Sequence, residues 1–343
     1  MVSKIKVDEI ESSQSGGDIT FNTLPKIGGV SNFGRKNYII NGNFDIWQRG
    51  TSFTSNGYHA DRWNTTVSGT GTTTISRQAF TIGQTDVPNE PKYYARIAKS
   101  SGVSGATGGD VMVQRIESVR TLAGQTGTLS FYAKASESTT IDFFLKQHFG
   151  TGGSPSSDLD HTPTGVSVTT SWQKFTVTQA FTSISGKTIG SNNDDYLEII
   201  MRIDNGSNAS VDFAQIQLEK GSVATDFEIR PIGEELTLCQ RYFEVTYDTP
   251  PSTWSGDHYY DGVMQVYGSS NYIPGQRFSV KKRTSPTLTF YSKTGTSGQI
   301  SYNGSSATSV SGYDGNAHHI NRLVIGGTSS TNAFLIYEAD AEL

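Results

Sequence analysis

The chain has 343 residues, with 27 basic against 32 acidic side chains and a formal net charge of -5. Hydrophobic residues make up 34% and charged residues 17%, against about 45–50% and about 25% in ordinary globular domains; glycine and small polar residues replace them, which favours strands and turns over long helices. The composition excludes a helical membrane protein, because no run approaches about 20 apolar residues. It excludes a disulfide framework, because Cys239 is the only cysteine. It also excludes a nucleic-acid-binding protein, because there is no basic stripe.

The first 30 residues predict an arm. Lys4–Ile10 alternates polar and apolar residues with the period of a strand, and Asp18–Asn22 resumes the alternation after a polar break. Two short strands cannot bury an apolar face alone, so we interpret residues 1–30 as a docking or assembly arm and expect a homo-oligomer, specifically a trimer. The alternative is a disordered terminus. Met1–Glu11 lacks the apolar core of a secretory signal.

Residues 31–232 predict a series of short strands. Clusters of Gly, Asn, Ser and Asp separate the runs, which is typical of an all-β sandwich or barrel. The runs are Tyr38–Ile40, Thr72–Ser76, Tyr93–Ala98, Val111–Ile116, Thr128–Lys134, Thr140–Lys146, Gly165–Val168, Trp172–Thr178 and Tyr196–Ile203. We expect one β domain over this range.

Residues 233–343 predict a second β domain that opens with a helix. Glu234–Phe243 is the best helical segment, with acidic residues first and an arginine late. The strand runs that follow are Gly262–Tyr267, Arg277–Lys281, Thr287–Tyr291, Ile320–Ile325 and Ala333–Tyr337. We see no repeat of fixed period, so the sequence does not favour a solenoid or a propeller.

The sequence contains no recognisable catalytic motif, and we predict that the protein is not an enzyme. No GxSxG, HExxH or CxxC pattern occurs. Gly186–Thr188 is similar to the end of a phosphate-binding loop, but Phe181 stands where that loop needs its first glycine.

Asp194 and Asp195 follow Asn192 and Asn193 in an oxygen-rich loop. Calcium is held by about six to eight oxygen ligands of these types. Asn and Asp are also common in turns. The sequence therefore leaves open a Ca²⁺ site at Asp194 and Asp195 or a plain turn, and we expect no other cofactor.

Aromatic residues are the other candidates for binding. Trp254, Tyr259 and Tyr260 lie in or beside a stretch rich in Pro, Gly, Ser and Asp. Flat rings beside polar groups suit the faces of sugars, so these three residues are the predicted glycan site. The alternative is that they cap the end of a sandwich. Trp47 and Trp63 are expected in the core.

Two pairs of segments resemble the opening and the close of a domain common in bacteriophage tail-fibre and virion proteins. The opening is Asn37–Gly50 with Tyr58–Trp63, and the close is Gln215–Pro231 with Glu235–Phe243. The residues that we interpret as structural signatures of this domain are Asn41, Asn43, Trp47, Asp61, Arg62, Trp63 and Glu219.

The resemblance implies a jelly-roll sandwich over residues 31–232, similar to carbohydrate-binding modules, on a virion protein that is often trimeric. Residues 1–30 would then dock to other tail proteins, and residues 233–343 would form a distal β-sandwich domain. The expected function is that of a tail fibre or fibre-like receptor-binding protein, located in the virion, that recognises a host surface polysaccharide without cleaving it.

Two alternatives stay open at this point. One is a purely structural virion protein, a decoration or connector. The other is a polysaccharide-degrading tailspike, whose usual catalytic body is a long repeat solenoid.

Overall fold

The computed structural model describes residues 26–27, 30–31, 35–67, 72–99, 110–203, 208–254, 272–302, 306–325 and 333–343. The chain divides into two compact units, Met1–Lys36 and Asn37–Leu343. The predicted boundary at residue 232 therefore lies inside the second unit, and it stays a prediction.

In the N-terminal unit, strand β1 (Lys26–Ile27) pairs antiparallel with β2 (Val30–Ser31). The predicted strands Lys4–Ile10 and Asp18–Asn22 lie outside the described residues. The assembly arm is therefore still a prediction.

The second unit begins with two antiparallel sheets. The six-stranded sheet contains β3 (Ser52–Phe53), β6 (Thr73–Ala79), β7 (Tyr93–Lys99), β9 (Thr126–Ala135), β13 (Gln173–Ala180) and β15 (Val211–Lys220), in the order β13-β9-β15-β7-β6-β3. The seven-stranded sheet contains β4 (Gly57–Tyr58), β5 (Asn64–Thr66), β8 (Asp110–Glu117), β10 (Thr139–His148), β11 (Leu159–Asp160), β12 (Thr164–Val168) and β14 (Tyr196–Ile203), in the order β11-β10-β14-β8-β5-β4 with β12 also paired to β10. This arrangement confirms the predicted all-β class and jelly-roll sandwich.

The two sheets share one hydrophobic core because their strands alternate. In β9, Leu129, Phe131 and Ala133 are fully buried in that core. Tyr132 and Lys134 point to the opposite side, where they are half-buried. The alternation that fills the core therefore also places aromatic and charged side chains on the outer face of the six-stranded sheet.

The segment Tyr38–Ile40 lies beside β15 but is not a regular strand, so the prediction of a strand there was wrong. The Tyr38 N–H donates to the Leu218 carbonyl at 2.9 Å. The Asn37 side-chain oxygen then accepts hydrogen bonds from the N–H groups of Ile39, at 2.9 Å, and Leu218, at 3.1 Å. A side chain thus takes positions that a backbone carbonyl would occupy in a regular ladder.

After the sandwich come α1 (Ile232–Gln240) and a second group of strands. These are β16 (Phe243–Val245), β17 (Tyr272–Arg277), β18 (Thr287–Tyr291), β19 (Gln299–Tyr302), β20 (Ser306–Gly315), β21 (His319–Ile325), β22 (Ala333–Phe334) and β23 (Ile336–Asp340), in a three-stranded sheet β16-β23-β18 and a five-stranded sheet β17-β21-β20-β19-β22. They enclose a core of their own, which includes Phe290, Ile300 and Tyr337. No helix in the described ranges is long and apolar enough to cross a membrane.

Two of the sequence predictions for this region differ from the structure. The predicted helix ran to Phe243, but α1 ends at Gln240 because Phe243 pairs with Asp340 in a sheet. The predicted strand Arg277–Lys281 was wrong, because β17 ends at Arg277. The Phe278 N–H still donates to the His318 carbonyl at 3.1 Å, but the Ser279 N–H donates to the Glu244 carboxylate at 3.0 Å. The predicted run at 262–267 lies outside the described residues.

The sandwich is joined to the C-terminal residues by Arg49, Arg62 and Arg115, which we call the arginine junction. Arg49 pairs with Asp340 at 3.3 Å, and Arg62 pairs with Glu342. Arg115 donates to the Leu343 carbonyl at 2.6 Å. Because Arg62 and Glu342 are almost completely buried, this pair is shielded from solvent and salt.

Candidate functional site

The signature residues at the start of the domain form a buried cluster of hydrogen-bonded side chains. The Asn41 side chain accepts a hydrogen bond from the Ile46 N–H at 3.0 Å and donates to the carbonyls of Ile46, at 2.8 Å, and Asp61, at 3.1 Å. The indole N–H of Trp63 donates to the Asn41 carbonyl at 3.0 Å, and that of Trp47 donates to a neighbouring carbonyl at 2.7 Å. These polar atoms thus form hydrogen bonds with groups inside the fold.

The other signature residues are also engaged inside the fold. Asp61 accepts hydrogen bonds from the N–H and the side chain of Gln48, and burial raises the pKa of its carboxyl. Asn43 donates to Asp45 at 2.9 Å, and Glu219 accepts from the Thr225 N–H at 2.8 Å.

Asp194 and Asp195 anchor two different loops. Asp194 accepts from the hydroxyl of Thr151, at 2.5 Å, and from its N–H, and the hydroxyl contact is the main cause of the lowered pKa of Asp194. Asp195 accepts from the Ser118 hydroxyl at 3.0 Å and the Val119 N–H at 2.9 Å. Among the described residues, no group of three or more His, Cys, Asp or Glu side chains could hold a metal ion. The calcium site stays a prediction.

Trp254 follows a short 3-10 turn, Pro251–Thr253, and its indole N–H donates to the Thr249 carbonyl at 2.9 Å. Its ring meets that of Tyr247 edge-on, with centroids 6.1 Å apart. Tyr259 and Tyr260 lie outside the described residues, so the glycan site predicted at these three residues stays a prediction.

A second group of candidates, not singled out from the sequence, lies on the outer face of the six-stranded sheet. In the register of the strands, Asp212 of β15 stands opposite Lys134 of β9 on one side and Arg96 of β7 on the other. Arg96 binds both carboxylate oxygens of Asp212, at 2.7 and 2.8 Å. This hydrogen bonding to Asp212 raises the pKa of Arg96, whereas the Lys134 ammonium lies 3.9 Å from the nearer oxygen.

Three aromatic rings border this charged row. Phe80, Tyr94 and Trp172 contact one another, with centroids 4.8 to 5.4 Å apart and with Tyr94 nearly perpendicular to Trp172. Each side chain is half-buried. We call these three residues the aromatic platform. The Lys134 ammonium lies 5.3 Å from the Trp172 ring centroid, within the range of a cation–π contact.

A cavity of about 420 Å³ opens beside the platform, a size within the range of about 300–1,000 Å³ common for ligand sites. Its wall contains the row Arg96, Asp212 and Lys134, and its other side chains are small: Ala98, Ala135, Ser136, Thr170 and Ser210.

A smaller cavity of about 180 Å³ lies on the same face. Tyr132, Lys174 and Asp226 contribute to its wall. Tyr132 precedes Lys134 by two residues on β9, so the two side chains lie on the same face about 7 Å apart. Polar side chains therefore line both cavities.

The comparisons with known proteins concern about half of the chain. No family model matches the sequence, and no curated protein is significantly similar to it. Among solved structures, a CBM4 domain is similar with a TM-score of 0.33 at 18% identity, covering 53% of this chain and 98% of that one. The CBM22-1 xylan-binding domain from Paenibacillus barcinonensis gives a TM-score of 0.30 at 14% identity, covering 50% and 94%.

The enzymatically active domain of tailspike protein 4 from bacteriophage CBA120 gives a TM-score of 0.34 at 12% identity. This match covers 54% of the present chain but only 21% of the tailspike chain. Likenesses of this size say nothing about a ligand, so what this chain binds has to be inferred from its own side chains.

Proposed function

We propose that the protein binds a polysaccharide on the outer face of its six-stranded sheet. The observation that supports this most is the aromatic platform of Phe80, Tyr94 and Trp172 beside the cavity of about 420 Å³. The C–H face of a sugar ring packs against such rings, while its hydroxyls bind the charged and hydroxyl side chains next to them. Rigid aromatic and small polar residues together are also typical of adaptable recognition surfaces.

We place recognition on the sandwich rather than on Trp254. The Trp254 indole N–H is already committed to Thr249, and its ring packs against Tyr247. The rings of the aromatic platform, in contrast, stand beside a cavity that a ligand can enter.

In this proposal the protein holds its glycan without cleaving it. Hydrolysis of a glycosidic bond normally requires two carboxyl groups, one on each side of the bond. Two carboxylates line the cavities on this face, Asp212 and Asp226, and Asp212 has both oxygens engaged by Arg96. Asp212 is therefore held as an ion-pair partner, so these two residues do not form the pair of free carboxyl groups that hydrolysis requires.

We further propose that the chain is a tail fibre or fibre-like receptor-binding protein of a bacteriophage virion and that the glycan belongs to the host surface. This part rests on the motifs Asn37–Gly50 and Gln215–Pro231. Residues 1–30 would attach the protein to other tail proteins, and weak contacts to repeated sugar units would add up on a multimer.

The proposed multimer is a trimer, and an exposed apolar patch supports self-association. Tyr38, Ile229 and Ile232 are exposed by 39%, 62% and 60%. They flank Arg230, which donates to the carbonyls of Asn37 and Ile39. The patch thus lies where the chain leaves residues 1–36, and a second copy of the protein is the partner we propose for it. Light scattering at micromolar concentration tests this, and a monomer would count against it.

The binding face is tested with the full-length protein by affinity electrophoresis against a panel of bacterial surface polysaccharides. Trp172→Ala together with Tyr94→Ala should strongly reduce the retardation seen with the intact protein, because the two rings supply most of the flat apolar area against which a sugar can pack. The matched control is Phe144→Ala, a half-buried ring on the outer face of the other sheet. Unchanged binding by the double variant would refute this face. A failure of the intact protein to bind any glycan in the panel would favour a structural virion component instead.

A further inference from the structure

The net charge of the larger cavity indicates the charge of the ligand that it would bind. We infer that the polysaccharide is acidic and that the carboxylate of a uronic-acid unit binds the Lys134 ammonium. This inference rests on the proposed function, because it assumes that the glycan lies on this face.

The cavity contains one positive charge that its own anion does not neutralise. Arg96 and Asp212 form a bidentate pair, at 2.7 and 2.8 Å, which uses both carboxylate oxygens. Lys134 lies 3.9 Å from Asp212, too far for a hydrogen bond, and within the described part of the chain no group accepts a hydrogen bond from its ammonium. The remaining side chains of the wall are uncharged. Two cations against one anion leave a net charge of about +1 at the cavity.

The hydroxyls of the wall are arranged as donors. The Ser210 hydroxyl oxygen accepts from the Lys99 N–H at 3.2 Å, and the Ser136 hydroxyl oxygen accepts from the Ser210 N–H at 3.0 Å. Each hydroxyl oxygen thus has an internal donor, and its own proton is directed to no acceptor among the described residues. The hydroxyls can therefore donate to a ligand, and a carboxylate accepts at both of its oxygens.

The size of the excess charge favours a carboxylate over a doubly charged phosphate. A carboxylate carries one negative charge and matches the one unneutralised cation. A phosphate monoester carries about -1.5 to -2 charges at neutral pH and would face the carboxylate of Asp212 on the same wall. The Trp172 ring, 5.3 Å from the ammonium, is close enough for one sugar unit to stack on the ring and reach Lys134.

The test uses the full-length protein and three uronate polymers: polygalacturonate, alginate and hyaluronate. Each is compared with its carboxyl-reduced, neutral form, and a phosphate-bearing teichoic acid is added as a fourth probe. Binding is measured by calorimetry for the intact protein and for Lys134→Gln, Lys134→Arg and Lys187→Gln. Lys187 is the matched control because it is an exposed lysine in the loop after β13, at the other end of that strand from Trp172.

We expect at least one uronate polymer to bind and its reduced form to bind about tenfold or more weakly. Lys134→Gln should bind the acidic polymer more weakly by the same factor. Lys134→Arg should keep most of the affinity, and Lys187→Gln should leave it unchanged. Equal binding of the acidic and reduced forms, or uronate binding that is unaffected by Lys134→Gln, would overturn the inference but leave glycan binding intact. A preference for the teichoic acid would also overturn it. If no polymer, acidic or neutral, binds to the intact protein, the proposed function fails as well.

Discussion

The guanidinium of Arg62 lies 3.4 Å from the ring centroid of Tyr242, with Arg62 in the opening motif of the sandwich and Tyr242 directly after α1. Both residues are buried, and their burial lowers the pKa of Arg62 and raises that of Tyr242 to about 12. The Tyr242 hydroxyl also donates to Glu117 at 2.6 Å. This stacked pair thus links the opening motif of the sandwich to the segment that follows α1.

Replacing Arg62 should destabilise the whole second unit. Arg62→Met keeps much of the side-chain length but leaves the buried carboxylate of Glu342 with only its longer contact to Arg49, at 3.5 Å. Removing one member of a buried pair costs about 3–5 kcal/mol, and because Arg49 remains we expect the lower end of that range. Urea unfolding monitored by tryptophan fluorescence would measure it. The control is Arg77→Met, whose half-buried guanidinium stacks on Tyr93 at 4.3 Å and whose loss should cost about 1 kcal/mol or less.

The milder variant Tyr242→Phe keeps the ring but removes the hydroxyl that Glu117 accepts from. Glu117 retains its two contacts with Arg241, at 2.7 and 2.8 Å. The expected loss is therefore only about 1 kcal/mol. If Tyr242→Phe lowers the free energy of unfolding as much as Arg62→Met does, the stack of Arg62 on Tyr242 is not the main contact between the sandwich and the segment after α1.

Stability should fall in mild acid because of His59. Burial lowers the pKa of His59 to about 4 from an ordinary value of 6.5, and the nearby positive charge of Arg49 acts in the same direction. Between these two pH values the unfolded chain binds a proton that the folded chain does not, so the stabilisation is complete above pH 6.5 and is lost as the pH falls towards about 4. The loss attributable to His59 is about 2–3 kcal/mol at about pH 4.5.

The measurement is the free energy of unfolding in urea at about pH 7.5 and about pH 4.5. Other groups titrate in the same window, so the quantity of interest is the difference between the intact protein and His59→Gln. The variant should be less stable at neutral pH and should show a flatter pH dependence. Parallel pH profiles for the two proteins would contradict the prediction.

Two glycines should respond to alanine in opposite ways. A Cβ at Gly42 would collide with the backbone carbonyl oxygen of Ile216, which itself belongs to a strand of the six-stranded sheet. Gly42→Ala should therefore cost about 3 kcal/mol or more. A Cβ at Gly233, inside α1, meets nothing within 4 Å, so Gly233→Ala should stabilise by about 0.5–1 kcal/mol. Melting temperatures of both variants test the pair.

The charge of the binding cavity can be changed and restored. Arg96→Gln frees the carboxylate of Asp212 to attract Lys134, which reduces the net charge of the cavity from about +1 to about zero. Binding of a uronate polymer should weaken about tenfold, even though Lys134 is still present. Adding Asp212→Asn to Arg96→Gln restores the excess charge and should recover much of the binding.

This result would be read from a double-mutant cycle by calorimetry. The alternative is that Arg96 itself contacts the glycan, and then the double variant would stay as weak as Arg96→Gln alone. If Arg96→Gln binds the uronate polymer as tightly as the intact protein, the net charge of the cavity does not determine the affinity.

Local patterns were sufficient to predict most of the strands. Alternation along Thr128–Lys134 and Thr140–Lys146 predicted strands that the structure contains, as parts of β9 and β10. Tyr38–Ile40 has the same apolar character but is not a strand, because the side chain of Asn37 competes for its hydrogen bonds. Hydrophobic pattern alone carries no information on that competition.

The candidate site could not be predicted in the same way. Trp172 is distant in sequence from Phe80 and Tyr94, and the three rings meet because β6 pairs with β7, β7 with β15, β15 with β9 and β9 with β13. The sequence predicted a glycan site at Trp254, Tyr259 and Tyr260 because these residues are close in sequence. The outward positions of Tyr94, Tyr132 and Lys134 on alternating strands were the available signal, but strand order is needed to combine them.

The contact between the segment after Lys36 and β15 has a mechanical consequence. The Tyr38 N–H, the Asn37 side chain and the guanidinium of Arg230 all hold the segment that follows Lys36 to its neighbours. A force applied to the chain at Lys36 would therefore be transmitted first to β15, in the sheet that bears the aromatic platform.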